Sequence, residues 1–438
     1  MNQIVESGKT LLVDGPASVS IISGKADVFG ATLSKERKVV VREGKRLPFT
    51  VKKTAHFDIS LGESAGMEQL DGDTIPASWY EALKRLPGAQ PEPYIIIVIG
   101  NVNSGKTSFC TFLINNLVMK KHKVAILDGD LGQSDVGPPC TISYTLVTRP
   151  ITDIFNLRAK SAFFVGVTSP AEAMNKMVDG LALLGHQITN GDPDFIVVNT
   201  DGWTEGEKAI SYKSKLVETF KPDIVFFVQQ EDELMPLLGA LKDFQKMIVD
   251  SSKAAGQRDR EKRRNLRELG YVKYLKDAKV KSIPMSWLEI EEDELIGLGR
   301  IQGKARQFRE IYELLGMKPL HLAELADEIS IVIGKRRWID PENIRKVEKM
   351  TGKRVMVFRK GEEEGRLVGL YDVEKRFLGI GLLREIDYRR KVMKIFTPVS
   401  EKIFIVVFGK TKLDRNLKET STFMQEDGLD FSMSKYYL

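Results

Sequence analysis

The sequence is poor in the residues that build disulfide frameworks and metal clusters. Its 438 residues include only two cysteines and four histidines. Cys110 and Cys140 have neither C-x-x-C spacing nor a neighbouring histidine, which predicts structural thiols in a reducing compartment rather than a disulfide or a zinc site. The histidines are scattered, so we expect them to be structural or on the surface, and no nucleophilic triad is visible.

Long apolar runs are also missing. The longest, Tyr94–Ile99, has the length of a strand, so no membrane-spanning helix and no membrane partner are predicted. Residues 1–14 lack the basic start and apolar stretch of a secretory signal. We therefore expect an intracellular protein, cytoplasmic or, in a eukaryote, nuclear.

A large excess of one charge is absent from the chain as a whole. Its net charge is +6, too small to identify a nucleic-acid partner. The excess is local, because residues 253–279 contain ten Lys or Arg and four Asp or Glu, a net +6. This Arg-rich stretch is either a solvated amphipathic helix or a surface that contacts phosphate groups.

The patterns that are present divide the chain into three regions. Residues 1–91 carry short alternating runs with Gly and Asp turns, which predict a small β domain. Residues 92–284 alternate apolar runs with helical stretches and predict an α/β domain with a doubly wound, mostly parallel sheet. Residues 285–438 predict a mixed α+β domain containing a small barrel or sheet.

Individual elements can be predicted from the same patterns. Central strands are predicted at Tyr94–Ile99, Lys123–Leu127, Ala162–Gly166, Asp194–Asn199, Asp223–Val228 and Lys246–Val249. Central helices are predicted at Lys106–Met119, Pro170–Ile188, Glu205–Phe220 and Glu231–Phe244. In the last region, five strands are expected to form one barrel or sheet: Arg354–Phe358, Arg366–Tyr371, Phe377–Leu383, Val392–Phe396 and Ile403–Phe408.

One motif indicates the biochemical class of the protein. Gly100 to Thr107 fits G-x-x-x-x-G-K-S/T between an apolar strand and a helix. Glycines let the backbone wrap a phosphate, while backbone N–H groups and the helix N-terminus point at the anion. Lys106 is predicted to reach the β- and γ-phosphates, and the Thr107 hydroxyl to bind Mg²⁺. The predicted nucleotide-binding residues are Gly100, Asn103, Ser104, Gly105, Lys106, Thr107 and Ser108.

Two carboxylates follow the next predicted strand. Asp128 and Asp130 are two residues apart, so they point the same way at the strand's carboxyl end, where ligands bind in such sheets. One can serve a metal ion, and the other can accept a proton from an attacking hydroxyl. The alternative is a polar turn in which both cap backbone groups.

Other P-loop classes fit less well. The strand end at Asn199 lacks the Lys of the guanine-reading motif of GTPases, and position 101 is Asn where partition-type ATPases carry Lys. Three stretches instead resemble motifs of the polynucleotide 5′-hydroxyl kinases, in addition to the glycine-rich motif: Asp128 to Gln133, Thr200 to Trp203, and the Arg-rich stretch from Gln257. That family includes RNA kinases of tRNA splicing, pre-mRNA 3′-end processing and pre-ribosomal RNA processing. The resemblance covers about 94–275 and is of the prokaryotic or archaeal type.

The resemblance implies ATP and Mg²⁺ as cofactors and a role for each matched residue. Asp130 is then the general base, and Asp128 holds the metal ion with Thr107. Arg258 and Arg263 belong to a mobile lid, about 253–279, that closes over the triphosphate. Lys106 stabilises charge on the phosphoryl group in transfer.

The substrate side follows in the same way. Trp203 is predicted to stack on a base of the incoming strand, with a core tryptophan as the alternative. Thr200, in the same motif as Trp203, is a further predicted substrate-binding residue. Gln133 and Thr168 are candidates to hold the terminal nucleotide, although ordinary loop polarity explains these two nearly as well.

The resulting hypothesis is an ATP-dependent kinase that phosphorylates the 5′-hydroxyl end of a polynucleotide, with RNA as the favoured substrate, DNA as the alternative, and RNA-processing proteins as candidate partners. One alternative is a scaffold that binds ATP without transferring phosphate. Another is a nucleotide-driven switch or transport ATPase, against which the tryptophan and the missing guanine motif count.

Overall fold

The computed structural model describes residues 1–33, 35, 37–254, 256, 259–291, 305–324 and 328–422. Across these ranges, no helix combines the length and apolarity needed to cross a membrane.

The N-terminal region forms an antiparallel seven-stranded sheet. Its strands are β1 (Asn2–Val5), β2 (Lys9–Asp14), β3 (Ala17–Val28), β4 (Ala31–Thr32), β5 (Val39–Val41), β6 (Arg46–Leu61) and β7 (Gly66–Asp71). The order is β4-β3-β6-β2-β7, with β1 also on β6 and β5 on β3. The predicted β structure of this region is confirmed, and a helix, α1 (Ala77–Arg85), follows it.

The central region forms a second seven-stranded sheet. Its strands are β8 (Tyr94–Gly100), β9 (Val124–Asp128), β10 (Thr141–Val147), β11 (Ser161–Phe164), β12 (Phe195–Asn199), β13 (Ile224–Gln229) and β14 (Lys246–Asp250). Its helices are α2 (Lys106–Met119), α3 (Met174–Thr189), α4 (Glu207–Phe220), α5 (Met235–Ala240) and α6 (Arg260–Tyr274). In the order β11-β10-β9-β12-β8-β13-β14, the last five strands run parallel.

Apolar layers on both faces confirm the doubly wound α/β fold. Phe109 and Phe112 of α2 pack on one face, and Leu181 and Leu184 of α3 pack on the other. Parallel strands covered on both sides are expected to be continuously apolar, and β12 is buried at all five positions.

In the central region, one predicted strand and one predicted helix were wrong, and one strand was missed. The stretch Ala162–Gly166 is not a central parallel strand, because β11 is an antiparallel edge strand on β10. Strand β10 was not predicted, since its Thr and Ser residues weaken the apolar pattern. The predicted helix Glu231–Phe244 shrinks to the six residues of α5, because Pro236 favours a helix that starts beside it and Gly239 weakens its C-terminal end.

The C-terminal region contains two sheets rather than one. Its elements are β15 (Lys279–Pro284), β16 (Glu289–Glu291), α7 (Ala305–Leu315), β17 (His321–Glu324), β18 (Glu328–Ile333), α8 (Pro341–Thr351), β19 (Arg354–Arg359), β20 (Arg366–Tyr371), β21 (Phe377–Asp387), β22 (Val392–Thr397), β23 (Ile405–Leu413) and β24 (Glu419–Thr422). The larger sheet has the order β15-β22-β21-β20-β23-β16, with β24 on β23. The expected five-strand group was therefore wrong for Arg354–Phe358, because β19 pairs with β18 in a separate sheet, β17-β18-β19.

Helix α1 ties the segment that follows the first sheet to helix α2 and strand β14 of the central region. Trp79 is fully buried, with its ring centroid 5.2 Å from that of Phe109 and 5.5 Å from that of Phe112. Its indole N–H donates to the carbonyl oxygen of Asp250 at 2.8 Å. One side chain thus joins α1, α2 and the end of β14.

We expect Trp79→Ala to lower the free energy of unfolding by about 3–5 kcal/mol, because a large buried aromatic group and its hydrogen bond are lost. Urea denaturation followed by circular dichroism measures this. The matched control is Trp287→Ala, since Trp287 is 62% exposed. Equal shifts in the two variants would contradict the assigned role of Trp79.

Candidate active site

A cavity of about 520 Å³ opens at the carboxyl ends of β8, β9 and β12. That volume lies within the range of small-molecule sites. The central domain supplies most of its walls, the N-terminal sheet supplies part of one side, and α6 supplies another. Predicted site residues among its lining are Asn103, Gly105, Lys106, Thr107, Ser108, Asp130, Gln133, Thr168, Trp203 and Arg263.

The loop between β8 and α2 has the geometry of an anion-binding nest. Gly105 has φ = 93° in the left-handed region, where a side chain would be strained, and Asn103 has φ = 65°. The first i→i−4 hydrogen bond of α2 runs from Phe109 N to Gly105 O. The N–H groups at positions 106 to 108 therefore have no acceptor within the helix and are available to a phosphate.

Lys106 and Asp130 face the same cavity. Lys106 is 6% exposed, and its Nζ donates to the carbonyl oxygen of Asn101 at 2.8 Å. Burial lowers the pKa of Lys106 to about 8, against the opposing charge of Asp130. Burial raises the pKa of Asp130, and the Lys106 charge counteracts that rise. Asp130 Oδ1 also accepts from Gln133 N at 3.0 Å, which fixes the turn after β9.

Asp128 lies behind the cavity and does not line it. Its Oδ2 accepts from the N–H groups of Asp135 and Val136 at 2.9 and 3.1 Å, and its Oδ1 accepts from the Asn199 amide at 3.0 Å. Burial, with the charges of Asp130 and Asp135, raises the pKa of Asp128 to about 7. These contacts describe a carboxylate that holds the following loop, and they give its predicted role as a metal ligand no support.

Three other predicted residues also support the site from outside its lining. The Thr200 hydroxyl donates to Val98 O at 2.8 Å and joins the ends of β12 and β8. Gly100 is the last residue of β8, and Ser104 lies in the loop between β8 and α2, which we call the phosphate loop. The Ser251 hydroxyl donates to Ser104 O at 2.7 Å. The predicted substrate contact of Thr200 therefore finds no support in this geometry.

Trp203 is held at the cavity by a buried ion pair. Asp201 Oδ1 accepts from Trp203 N at 2.9 Å, while its Oδ2 accepts from Tyr212 OH at 3.0 Å and Lys213 Nζ at 2.8 Å. Asp201 and Lys213 are 2% and 0% exposed. The Trp203 ring stacks on Tyr212 at 5.9 Å with an interplanar angle of 22°. Trp203 is thus half-buried and also lines the cavity.

Close packing also positions the Trp203 turn. A Cβ on Gly202 would lie 2.7 Å from Val102 Cγ2 and 2.9 Å from Val102 N. The Thr204 hydroxyl donates to the side-chain carbonyl of Asn101. The turn after β12 therefore rests directly on the phosphate loop, and the two cannot move independently.

The Arg-rich stretch forms helix α6, whose first turn reaches the cavity. Arg260, Arg263 and Arg267 line it, and the spacing of three and four residues places them on one helix face. The Asp259 side chain caps the helix by accepting from Lys262 N at 2.8 Å. Arg258, also predicted to act in the lid, lies outside the described residues.

The second half of α6 is anchored rather than loose. Arg267 makes a bidentate pair with Glu419 of β24, with both N–O distances at 2.7 Å. Tyr271 is fully buried and donates to the same carboxylate at 3.1 Å. Lys273 Nζ donates to Phe155 O and Leu157 O at 2.6 and 2.8 Å. Motion of the whole predicted lid would break all of these contacts.

The N-terminal sheet contributes residues that sequence reasoning missed. Phe29, Lys45, Arg46 and Leu47 line the cavity. Lys45 Nζ donates to Asp135 Oδ2 at 2.8 Å. These residues carry no local motif, so only the tertiary structure reveals them. Arg260 and Arg267, in contrast, share the helical spacing of Arg263 and could have been predicted from it.

Arg42 and Lys45 dock the N-terminal sheet onto the loop that Asp128 holds. Arg42 pairs with Asp153 at 2.7 Å and with Asp135 at 3.0 Å. Although burial alone would raise the pKa of Asp135, the Lys45 and Arg42 charges hold it below its usual range. The charged contact thus fixes one wall of the cavity against another.

The phosphate loop, the facing carboxylate and the cationic helix together define a P-loop phosphotransferase site on a doubly wound sheet. Residues 100–277 match the family described as mRNA cleavage and polyadenylation factor CLP1 P-loop. Over these residues the chain is similar to that family, which confirms the resemblance inferred from its motifs for the central region.

Relatives extend the similarity over most of the chain. A polyribonucleotide 5′-hydroxyl-kinase of Methanocaldococcus jannaschii is 29% identical over 358 residues, covering 79% of this chain and 94% of the relative. A protein of the same description from Pyrococcus furiosus is 27% identical, covering 80% and 96%. A solved Clp1p–Pcf11p complex superimposes with a TM-score of 0.65 over 94% of this chain and 97% of the other at 12% identity, a likeness of fold.

We expect nucleotide affinity to fall as pH rises through about 8. Lys106 is protonated below that pKa, and phosphate binding favours the protonated form, so each further pH unit costs up to about tenfold in affinity. Titration of ATP into the protein at several pH values measures this. Lys106→Ala should bind weakly with little pH dependence, while Lys208→Ala, an exposed lysine of α4, should behave as the parent. An unchanged affinity across this range would contradict the assignment.

Proposed function

We propose that this protein is an ATP-dependent polynucleotide 5′-hydroxyl kinase that transfers the γ-phosphate of ATP to the 5′-hydroxyl end of RNA. One observation carries the proposal: a single cavity is lined by Lys106 of the phosphate loop, Asp130, Trp203 and Arg263. Phosphate binding, proton acceptance, base stacking and charge neutralisation are the functions that such a transfer needs. The names of the archaeal relatives support RNA as the substrate class.

The donor side of the cavity suits a nucleoside triphosphate. The N–H groups at the start of α2 and the Lys106 ammonium supply donors and positive charge. Oxygen ligands suit Mg²⁺, and the Thr107 hydroxyl and the Asp130 carboxylate both line the cavity. When bound, the magnesium ion would neutralise charge on the phosphates. We assign it to Thr107, with Asp130 near by, rather than to Asp128.

The acceptor side suits a hydroxyl nucleophile. Asp130 would orient the 5′-hydroxyl and take its proton, since burial raises its pKa and makes it a better base than an exposed carboxylate. Lys106 would stabilise the charge on the phosphoryl group as it leaves ADP. Arg263 and Arg260 of α6 line the same cavity and would neutralise the same charge.

The lid proposal needs one refinement. The buried contacts of Arg267, Tyr271 and Lys273 hold the second half of α6 in place. We therefore place the opening movement in the first turn, at Arg260 and Arg263, which lines the cavity without those anchors.

Both cysteines are free and buried, consistent with activity inside the cell.

We expect Asp130→Asn to lower the rate of phosphate transfer roughly 10²- to 10⁴-fold, because the proton acceptor is lost. Lys106→Ala should cost on the order of 10²- to 10³-fold. Transfer of labelled γ-phosphate to a 5′-hydroxyl RNA, and in parallel to DNA, measures both.

The matched control for that assay is Asp179→Asn, an exposed carboxylate of α3 that does not line the cavity. It should keep full activity. If the parent protein binds ATP but labels no 5′ end, the kinase proposal fails and the scaffold alternative takes its place.

We expect Trp203→Ala to raise the KM for RNA roughly 5- to 150-fold, the cost of about 1–3 kcal/mol for one lost stacking contact. Trp203→Phe should recover part of the loss, because it keeps an aromatic face toward the cavity. Steady-state kinetics separate KM for RNA from KM for ATP. A rise confined to the KM for ATP would contradict base stacking, and Trp287→Ala serves as the exposed control.

A further inference from the structure

A second basic surface lies outside the candidate active site, on the three-stranded sheet of the C-terminal region. We call it the basic edge. It comprises the loop Gly334–Trp338, which follows β18, and Arg359 and Lys360 at the end of β19. None of these residues lines the active-site cavity. The catalytic scheme proposed above uses none of them.

The stretch that contains the basic edge, residues 335–360, has a larger net charge than the whole chain. Residues 335–360 contain ten Lys or Arg and three Asp or Glu, a net +7. Within the described part of the protein, eight of the ten form no ion pair: Lys335, Arg336, Arg337, Arg345, Lys346, Lys349, Arg354 and Arg359. Two carboxylates lie beside this surface: Glu362 Oε2 accepts from Arg359 N at 3.0 Å, and Glu385 pairs with Lys360 at 3.5 Å. Among the described residues, Lys335, Arg336 and Arg337 have no acidic partner, so the loop that they form favours an anionic ligand.

The fold brings the charges of the basic edge itself, at residues 335–337 and 359–360, to the carboxyl ends of β18 and β19. Strands β18 and β19 are parallel, and Lys360 N donates to Ile333 O at 2.8 Å where both end. The loop between β18 and α8 is fixed at both ends. Arg337 N donates to Gly334 O at 2.9 Å, Ile339 is 6% exposed, and the Asp340 side chain caps α8.

A separate part of the chain adds charge beside the same edge. The turn between β21 and β22 contains three exposed basic residues, Arg389, Arg390 and Lys391. The preceding residue, Tyr388, contacts His321 with ring centroids 5.8 Å apart. His321 pairs with Val332 near the end of β18, so the turn lies at the carboxyl edge of the small sheet.

Trp338 distinguishes this surface from a plain cluster of charges. Its side chain is 62% exposed and follows three consecutive basic residues. A large exposed aromatic group among cations is the combination that binds single-stranded nucleic acid, through base stacking and phosphate contacts. A protein partner would instead favour apolar neighbours that exclude water around the tryptophan.

We propose that the basic edge is a second RNA-binding surface that holds the single-stranded body of the substrate beyond its 5′ end. The proposal extends the proposed function, because an end-modifying kinase has a polyanionic substrate that continues past the reacting nucleotide. Binding would be independent of sequence and strongly dependent on salt. Longer RNAs would therefore have lower KM values than a dinucleotide, with little change in kcat.

The first test is direct binding of a fluorescent 5′-hydroxyl RNA of about 16 nucleotides, the upper range of one single-strand site, to the full chain. Replacing Lys335, Arg336 and Arg337 together by Gln should reduce the slope of log Kd against log salt by about 2, since each phosphate contact contributes about 0.7. Trp338→Ala should weaken binding roughly 5- to 150-fold.

A matched variant removes the same charge elsewhere. Lys25, Lys38 and Lys53, all exposed on the N-terminal sheet, are replaced together by Gln. This control should keep the parent's salt slope. Equal losses in the two triple variants, or no loss at the basic edge, would overturn the proposal, and the latter would leave an acidic protein as the partner to pursue.

The second test separates this surface from the catalytic site. Kinase activity of the basic-edge variants on a 5′-hydroxyl dinucleotide should equal that of the parent, while KM for the longer RNA rises. A fall on the dinucleotide as well would overturn the proposal by showing a disturbed active site. Absence of phosphate transfer in the parent would defeat the proposed kinase alone, since the binding experiment does not depend on catalysis.

Discussion

The buried ion pair between Asp201 and Lys213 is the interaction on which the candidate site depends. Both side chains are almost fully excluded from water. One carboxylate accepts from Lys213, Tyr212 and the Trp203 backbone, so it links α4 to the turn that follows β12. Removal of either charge would leave the other buried and uncompensated, which is far more costly than the loss of a surface pair. The position of Trp203 is therefore fixed by electrostatics as much as by packing.

The same edge of the sheet is braced from both flanking regions. Arg42 and Lys45 reach from the N-terminal sheet to Asp135, directly after the turn that contains Asp130. On the opposite side, Glu419 of β24 holds Arg267 and Tyr271 of α6. The central domain alone would lack the part of the cavity wall that the N-terminal sheet supplies and the carboxylate that holds α6 in place. This explains why charged residues far apart in sequence are needed to build one phosphate-binding site.

Short-range sequence patterns were enough to predict four parts of the site: the phosphate loop, Asp130, Trp203 and helix α6. A glycine loop between strand and helix, a carboxylate at a strand end and a regular Arg spacing are all local. Asp128 could not be separated from Asp130 in this way, since spacing shows that two carboxylates point the same way but not which one turns toward solvent. The contributions of Lys45 and Glu419 depend on how distant sheets dock, which no local pattern records. Strand β10 was missed because its polar residues, such as Thr141 and Ser143, are fully buried and interrupt the continuous apolar run expected of a buried strand.

The distribution of charge gives these local features a common direction. Residues 253–279 and 335–360 together carry +13 while the whole chain carries +6, so the remaining residues carry −7. A polyanion is therefore attracted to two limited regions and repelled by much of the other surface. Such a field raises the rate of productive encounter without a sequence-specific contact. For an enzyme that must accept any 5′ end, selection by charge and chain end, rather than by base identity, follows from that arrangement.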